Sequence, residues 1–584
     1  MKKREAHSFR DVWRLLPKQI KIQARILVFF MFLASLLEAL GIGMIIPFLG
    51  SLLSTGINLI PSNGSSIFKF LHWFAIFPLE NVVIGLLIVF IIKNLYLGWL
   101  THFQCKLIFR LEASLSNTLL KNYLSRPYDF FVRRNSANLI QNVIGEVSHF
   151  CHNAVEPLLG IFSEFLIVMF VLLLLIIVNP CGALIMTFVL AGVGTAFHHQ
   201  IRLRVARWGK ERQHNESMRL QKLQESFGAI KEIKIAGLQP QFCMDYAKYT
   251  DASALFGWRQ KSLHALPRLM LEMLAVLALV IVVLSVKDSQ KAAIIPMLGL
   301  YAAAAFRLMP STNRILTALQ AMRFSQSTVI VLTEELTKTE KEEPLPLVPT
   351  GLTFKDTWIL KDVAFQYSED VPPVFKTLNL EIRKGEVVCV MGPSGAGKST
   401  LIDVLCGLLS PTAGQVLVDG QDIKGKETLW YRHLAYVPQT IFLIDGTIKE
   451  NITLGVSPVA VDELWLMDAV KICGLQELVN SHLEGLNASV GERGIKISGG
   501  QRQRIGLARE IYRRRDVLVL DEATNALDAS MEAEVVKNIN RANKKTTVIW
   551  ITHSDTPLKY ADKLITIQED GVTVKILNGS EKRP

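Results

Sequence analysis

The sequence predicts two successive domains, an all-α membrane domain of six helices followed by an α/β domain built on a phosphate-binding loop. Three observations carry that reading. Apolar residues make up 50% of the 584-residue chain, but they crowd into residues 26–316, whereas the composition after Glu334 is that of a soluble domain. Within 26–316 lie six stretches close to the roughly 20 apolar residues a helix needs to cross a bilayer. Farther on, the run Val387–Met391 leads into a glycine-rich loop and then into a helical pattern, Leu401–Leu408. The expected boundaries are a basic N-terminus over 1–25, a membrane domain over 26–325, a linker over 326–356 and the α/β domain over 357–584.

Charge sets the orientation. The net charge of +12 is distributed against a nucleic-acid reading. Lys and Arg gather before the first apolar stretch (Lys2, Lys3, Arg4, Arg10, Arg14, Lys18, Lys21, Arg25) and again over 106–134 and 201–234, which is the positive-inside pattern of a membrane protein. No nucleic-acid partner is expected. The seven cysteines form no CxxC pair, so they read as reduced thiols and not as a disulfide scaffold. The first apolar run is too long for a cleaved signal peptide and is followed by others.

The six spans are expected at about 26–53, 82–105, 157–178, 182–199, 269–286 and 292–316. The connections 54–81, 179–181 and 287–291 carry little positive charge and belong outside. The long basic segments 106–150 and 200–268 belong inside, together with both termini. Leu107, Leu111, Leu115 and Leu119 continue the helical period past the bilayer, so helices should project into the cytoplasm. In the outer loop, Ile67, Phe70, Leu71, Phe74 and Phe77 share one helical face. That face suits either the membrane interface or a plug between spans.

Ionisable residues inside spans are costly and mark a partner or an aqueous cavity. They are Glu38, Lys93, Arg268 with Glu272 four residues on, and Arg307 with Arg314 seven residues on. Two arginines on one face suit a bidentate phosphate ligand. The alternative is snorkelling or structural ion pairing near helix ends.

In the second domain, GPSGAGKST supplies Gly392, Pro393, Ser394, Gly395, Ala396, Gly397, Lys398, Ser399 and Thr400 in GxxxxGK[ST] order. Glycines there let backbone N–H groups wrap phosphates at a helix N-terminus. Lys398 is placed to reach the outer phosphates of ATP, and Ser399 to hold Mg²⁺. The strand Val517–Leu520 ends in Asp521, suited to the Mg²⁺ shell, and Glu522, suited to orienting or deprotonating the attacking water. His553 follows another apolar strand, Thr547–Ile551, in position for the γ-phosphate.

With these pieces in order, the chain resembles the ATP-binding-cassette transporters from about residue 20 to 570. Ile497-Ser498-Gly499-Gly500-Gln501 looks like their signature sequence, which in that family closes on ATP held by a second subunit. The resemblance therefore implies a dimer, with Ser498, Gly499, Gly500 and Gln501 acting in trans. It also implies that Gln439 joins the Mg²⁺ shell, that Tyr367 stacks on adenine, and that Gly491–Gly494 is an exporter-type loop. Three positions depart from the usual pattern: Ile497 replaces Leu, Asn525 replaces Ser and Ser554 replaces Arg. None removes a catalytic group.

Membrane domain first and cassette second is similar to exporters. The segments Tyr123–Phe131, Glu225–Gly237, Leu266–Glu272 and Phe306–Arg314 resemble bacterial lipid-linked oligosaccharide flippases. That resemblance implies a multi-pass inner-membrane protein with a cytoplasmic cassette and a polyprenyl-diphosphate oligosaccharide as cargo. Arg268, Arg307, Arg314 and Lys93 would then neutralise the diphosphate while the polyprenyl tail stays in membrane lipid. An exporter of peptide, lipid or drug shares every cassette motif, and an ATP-gated channel or regulatory subunit is a more distant alternative.

Overall fold

The computed structural model describes residues 9–43, 79–178, 180–285, 291–337, 351–368, 370–523, 529–542, 546–568 and 571–577. The chain divides into two compact units, residues 1–126 with 130–343 and residues 127–129 with 344–584. The outer-loop face at 67–77 and the Asn525–Asp528 segment lie outside the described residues.

The first unit is built from long helices: α1 (Lys18–Gly43), α2 (Leu79–Leu124), α3 (Glu156–Val178), α4 (Pro180–Gly228), α5 (Gln239–Ser285), α6 (Lys291–Phe324) and α7 (Gln326–Thr337). Each expected span overlaps one of the first six, with residues 44–53 of the first and residue 286 of the fifth outside the described residues. Leucine periodicity beyond the bilayer has its counterpart in the lengths of α2, α4 and α5, which have 46, 49 and 47 residues. By length and composition, three helices among the described residues can cross a membrane, and α6 with α7 forms a bent pair at 51°. Residues 326–337 are thus helical, where the sequence reading places a linker. Their apolar spacing (Val329, Leu332 and Leu336) packs against Leu16, Leu111 and their neighbours, so this stretch is part of the core.

Between α2 and α3 the backbone leaves the α-helical repeat twice, in π-helical turns at Asn142–Glu146 and Cys151–Val155. The first turn carries Glu146, whose residue surface is fully buried. Arg212 of α4 donates to both its oxygens at 3.2 Å, and Thr328 of α7 donates to one of them. Arg212 also pairs with Glu216 one turn on. Beside this cluster α4 and the end of α6 approach so closely that a Cβ on Gly209 would stand 1.9 Å from the Phe324 carbonyl oxygen. The bend between α6 and α7 therefore sits against a buried ion pair and a glycine contact.

In the second unit, β1 (Thr357–Phe365) and β2 (Phe375–Arg383) join the later strands β4 (Ala413–Val418) and β5 (Gln421–Asp422) in an antiparallel sheet of order β2-β1-β4-β5. Then come β3 (Val387–Met391), α8 (Lys398–Leu405), β4 (Ala413–Val418), β5 (Gln421–Asp422), β6 (Leu434–Val437), α9 (Gly499–Tyr512), β7 (Val517–Asp521), α10 (Ala529–Ala542), β8 (Thr547–Ile551), β9 (Lys563–Gln568) and β10 (Gly571–Ile576). The larger sheet runs β10-β9-β3-β8-β7-β6 and is parallel except for the β9–β10 hairpin. Every residue of β7 and β8 is buried, as continuous apolar runs in a sheet covered on both faces require. One face packs against α9 and α10, and the other against α8 and the antiparallel sheet. Trp358 and Trp430 meet edge to face at 5.0 Å on that second side.

Removing one partner of a buried ion pair strands the other charge, a loss of about 3–5 kcal/mol. Arg212→Leu should therefore lower the thermal unfolding midpoint in detergent substantially. Adding Glu146→Gln to it should restore most of the loss.

Candidate functional site

Four adjacent parallel strands end at one edge of the larger sheet, and their order brings the site together. β3 leads into the glycine loop, β8 into His553, β7 into Asp521 and Glu522, and β6 into Gln439. Ligand groups at the carboxyl ends of such strands are the rule for open α/β sheets. β8 lies between β3 and β7, which places His553 beside both the loop and Glu522.

The loop turns from β3 into α8 with Gly397 capping the helix at φ 94°. A Cβ there would be strained and would also come 2.6 Å from Val374 Cγ1, so the position requires glycine. Pro393, Ser394, Gly395 and Ser399 are exposed, whereas Lys398 and Thr400 are buried. The Lys398 ammonium donates to the Gly392 carbonyl at 2.8 Å and the Pro393 carbonyl at 3.2 Å, and lies 3.3 Å from His553 Nε2. A cation is thus held at the rim of a helix N-terminus, where anions are favoured.

Glu522 takes a left-handed backbone conformation, φ 50°, which turns its side chain away from the strand that carries Asp521. One carboxylate oxygen accepts from Gln439 Nε2 at 2.8 Å, and the other lies 3.4 Å from His553 Nε2. Asp521 accepts from the Tyr436 hydroxyl at 2.9 Å. Burial raises the Asp521 carboxyl above its ordinary value, the Tyr436 bond works against that, and the Glu522 charge adds to it. Ser399, Gln439 and Asp521 offer hydroxyl, amide and carboxylate oxygens, the hard donor set that Mg²⁺ prefers. The residues present therefore fit that ion.

Tyr367 is 40% exposed, and its hydroxyl lies 2.9 Å from Thr400 Oγ1. This anchors the ring next to α8, where it meets Phe365 edge to face at 5.0 Å. Ser498 caps α9 in a reciprocal box with Gln501: Ser498 Oγ accepts from Gln501 N at 3.2 Å, and Gln501 Oε1 from Ser498 N at 2.8 Å. Gly499 follows in the first turn, with open space where a Cβ would stand, and Gly500 comes next on the helix.

The four membrane cations suit, by sequence, either a phosphate ligand or structural ion pairs, and each stands beside a carboxylate in the structure. Lys93 Nζ is 3.5 Å from Glu38 Oε1. Arg307 Nε lies 2.9 Å from the same oxygen but without the alignment of a hydrogen bond. Arg314 donates to Glu164 at 2.5 Å, and Arg268 to Glu272 at 2.8 Å. Charge in a low-dielectric region demands such compensation.

Two cassette residues escaped the sequence reading. Tyr436, three residues before Gln439, holds Asp521 through its hydroxyl. Asp403 lies one turn beyond Ser399, a spacing that puts both on one helix face. Burial, and then the Asp521 charge, push its carboxyl up from 3.8 to about 6. Well below pH 3.8 this group is neutral in both folded and unfolded chains. Its charge then costs folding stability increasingly up to about pH 6, and fully above that. Asp403→Asn should raise the cassette's melting temperature at pH 7.5 and change it much less at pH 4.

Residues 28–293 match the ABC transporter transmembrane region, and residues 375–525 match the ABC transporter model for the ATP-binding domain. An ABC transporter ATP-binding protein of Bacillus subtilis without an assigned role is 38% identical over 213 residues, 36% of each chain. A provisionally named multidrug export ATP-binding/permease protein of Staphylococcus aureus is 39% identical over 207 residues, 35% of this chain and 36% of that one. The aligned part thus spans about a third of the length of these curated relatives. The fold is that of a bacterial Atm1-family ABC exporter solved with ATP bound, with a TM-score of 0.78 over 94% of both chains at 18% identity. The two matched regions, in that order on one polypeptide, make this chain a member of the ABC transporter family with the fold of a membrane-embedded exporter half-transporter.

Proposed function

We propose that the chain is one half of a homodimeric ATP-driven exporter in which Glu522 activates the water that attacks the γ-phosphate. The observation that carries this reading is the convergence of Lys398, His553, Glu522 and Gln439 within hydrogen-bonding or ion-pair distance at one sheet edge. The backbone of the Gly392–Thr400 loop and the Lys398 ammonium bind the phosphates. Tyr367, an exposed ring beside the loop, stacks on adenine. Ser399, Gln439 and Asp521 are the oxygen donors for Mg²⁺, which when bound neutralises charge on the β- and γ-phosphates. Glu522, held on one side by Gln439 and approached on the other by His553, takes the proton from water. Ser498, Gly499, Gly500 and Gln501 present a helix N-terminus to the γ-phosphate held by the partner subunit, so two chains complete two sites.

Closure of the two cassettes on ATP switches access to the membrane cavity, and hydrolysis resets it. The cargo is an amphipathic molecule. A polyprenyl-diphosphate oligosaccharide is the finer reading, supported by the resemblance of Phe306–Arg314 and its companion segments. A sugar headgroup stripped of water loses about 2–7 kcal/mol for each unpaired polar group, so such cargo needs a polar cavity. The Glu38–Lys93–Arg307 cluster is one carboxylate against two cations, which keeps an excess positive charge for an anionic headgroup. A drug-type cargo is the second reading. The pairing of Arg314 with Glu164 and the name of the Staphylococcus relative favour it.

Glu522→Gln should lower ATP turnover at least about 100-fold, the usual contribution of a general base, while nucleotide affinity stays within about twofold. Steady-state phosphate release and binding of a fluorescent ATP analogue measure the two quantities. Undecaprenyl diphosphate titrated against ATPase activity in proteoliposomes separates the cargo readings. For an anionic lipid cargo, Glu38→Gln lowers the half-stimulating concentration roughly tenfold and Arg307→Gln raises it by a similar factor, each a shift of about 1.4 kcal/mol. For a drug-type cargo neither substitution moves it.

A further inference from the structure

The residue after His553 departs from the family pattern, and its surroundings give that departure a purpose. We infer that Ser554 and Glu532 form a positioning pair that holds His553 against Glu522 and Lys398. The inference rests on the hydrolytic reading of the site.

His553 leaves the sheet one residue after Thr552, and its side chain is 48% exposed. An imidazole so open has few walls, so its place is set by the backbone on either side. On the N-terminal side the anchor is Thr552, which is fully buried. Its N–H donates to the Val390 carbonyl of β3 at 3.3 Å, and its hydroxyl accepts from the Ser554 N–H at 2.9 Å. On the C-terminal side the anchor is Ser554. Its hydroxyl accepts from the Thr556 N–H at 3.2 Å and donates to Glu532 Oε2 at 2.8 Å. The Ser554 hydroxyl thus ties the turn to itself and to a second element.

That element is α10. Glu532 lies in its first turn and is 7% exposed. A buried carboxylate is costly to leave without donors, so the hydroxyl of Ser554 and the carboxylate of Glu532 hold each other in place. A charge-assisted hydrogen bond of this kind is stronger than a neutral one. An arginine at position 554 would reach a carboxylate with a long, flexible side chain. A serine does it with a short one, and only if the turn already sits close to α10. The pair therefore fixes the distance between the His553 turn and the helix that follows β7, the strand ending in Asp521 and Glu522. Ser554 bonds within the His553 turn and to Glu532 of α10, so the pair acts on the site through His553.

The test uses the full-length chain in nanodiscs. It follows ATP hydrolysis for kcat and KM, and nucleotide affinity with trinitrophenyl-ATP. Ser554→Ala and Glu532→Gln should each lower kcat about tenfold, the scale expected from a catalytic group displaced by a fraction of an ångström. KM and nucleotide affinity should stay within about twofold. Ser554→Thr, which keeps the hydroxyl, should retain wild-type kcat. In a His553→Ala background, adding Ser554→Ala should cost nothing further, because the group being positioned is already gone.

Wild-type kcat in Ser554→Ala overturns the inference. So does an undiminished loss on top of His553→Ala, which would mean that the pair acts elsewhere. If Ser554→Ala and Ser554→Thr lose kcat together with thermal stability, the role is structural and the inference falls. A wild-type chain that binds nucleotide without hydrolysing it removes the hydrolytic reading itself. Robust wild-type hydrolysis with a silent Ser554→Ala removes the positioning pair alone.

Discussion

A bound triphosphate brings concentrated negative charge to a protein surface, and that charge has to be met without being neutralised in advance. In this cassette the Lys398 ammonium is held by two backbone carbonyls, Gly392 and Pro393, which orient a cation without cancelling its charge. A carboxylate in their place would form an ion pair that any incoming phosphate must break. The rest of the site follows from keeping acids off the lysine. Asp521 is tied to Tyr436 and Glu522 to Gln439, each by a neutral donor that places the carboxylate and leaves its charge in play. The helix N-terminus at Gly397 and the left-handed backbone of Glu522 belong to the same arrangement.

Neutral donors cannot remove the repulsion among acids gathered at one edge. Asp403, Asp521 and Glu522 all lie near the expected cation position, and the first two have raised carboxyl values. Folding stability is given up there, as is usual where groups are arranged for chemistry and not for packing. The wholly buried strands β7 and β8 and the two apolar layers around them supply the compensation. An edge loaded with acids is sustainable because the strands behind it are wholly buried.

Elements with a local sequence cause were legible. The glycine loop, the strands that precede Asp521 and His553, and the long helices each follow from spacing within a short window. Contacts between distant segments were not. Glu146 and Arg212 are 66 residues apart, and no periodicity links them. The π-helical turns that aim Glu146 inward have no motif, and a proline or glycine cue is missing at the bend near Ser325. Helix α7 ends in Glu334 and Glu335, next to a segment of mixed composition, and its apolar face packs on the core through residues distant in sequence. Asp403 shows a different failure. Its spacing from Ser399 is helical, but a carboxylate three residues past the glycine loop belongs to no motif of that loop.

The membrane unit solves the opposite problem from the cassette. There the cations meet carboxylates directly: Glu38 faces both Lys93 and Arg307, and Glu164 faces Arg314. In hydrocarbon an uncompensated charge is costly to keep in reserve, whereas at the cassette edge water and backbone dipoles can hold one. Apart from the one excess cation beside Glu38, an anion would enter such a set of pairs by exchange, replacing a carboxylate already in place. Exchange lowers affinity and makes release easier, and a transporter needs release as much as capture. The misaligned approach of Arg307 to Glu38 fits a contact of that kind, close enough to neutralise and poor enough to give way.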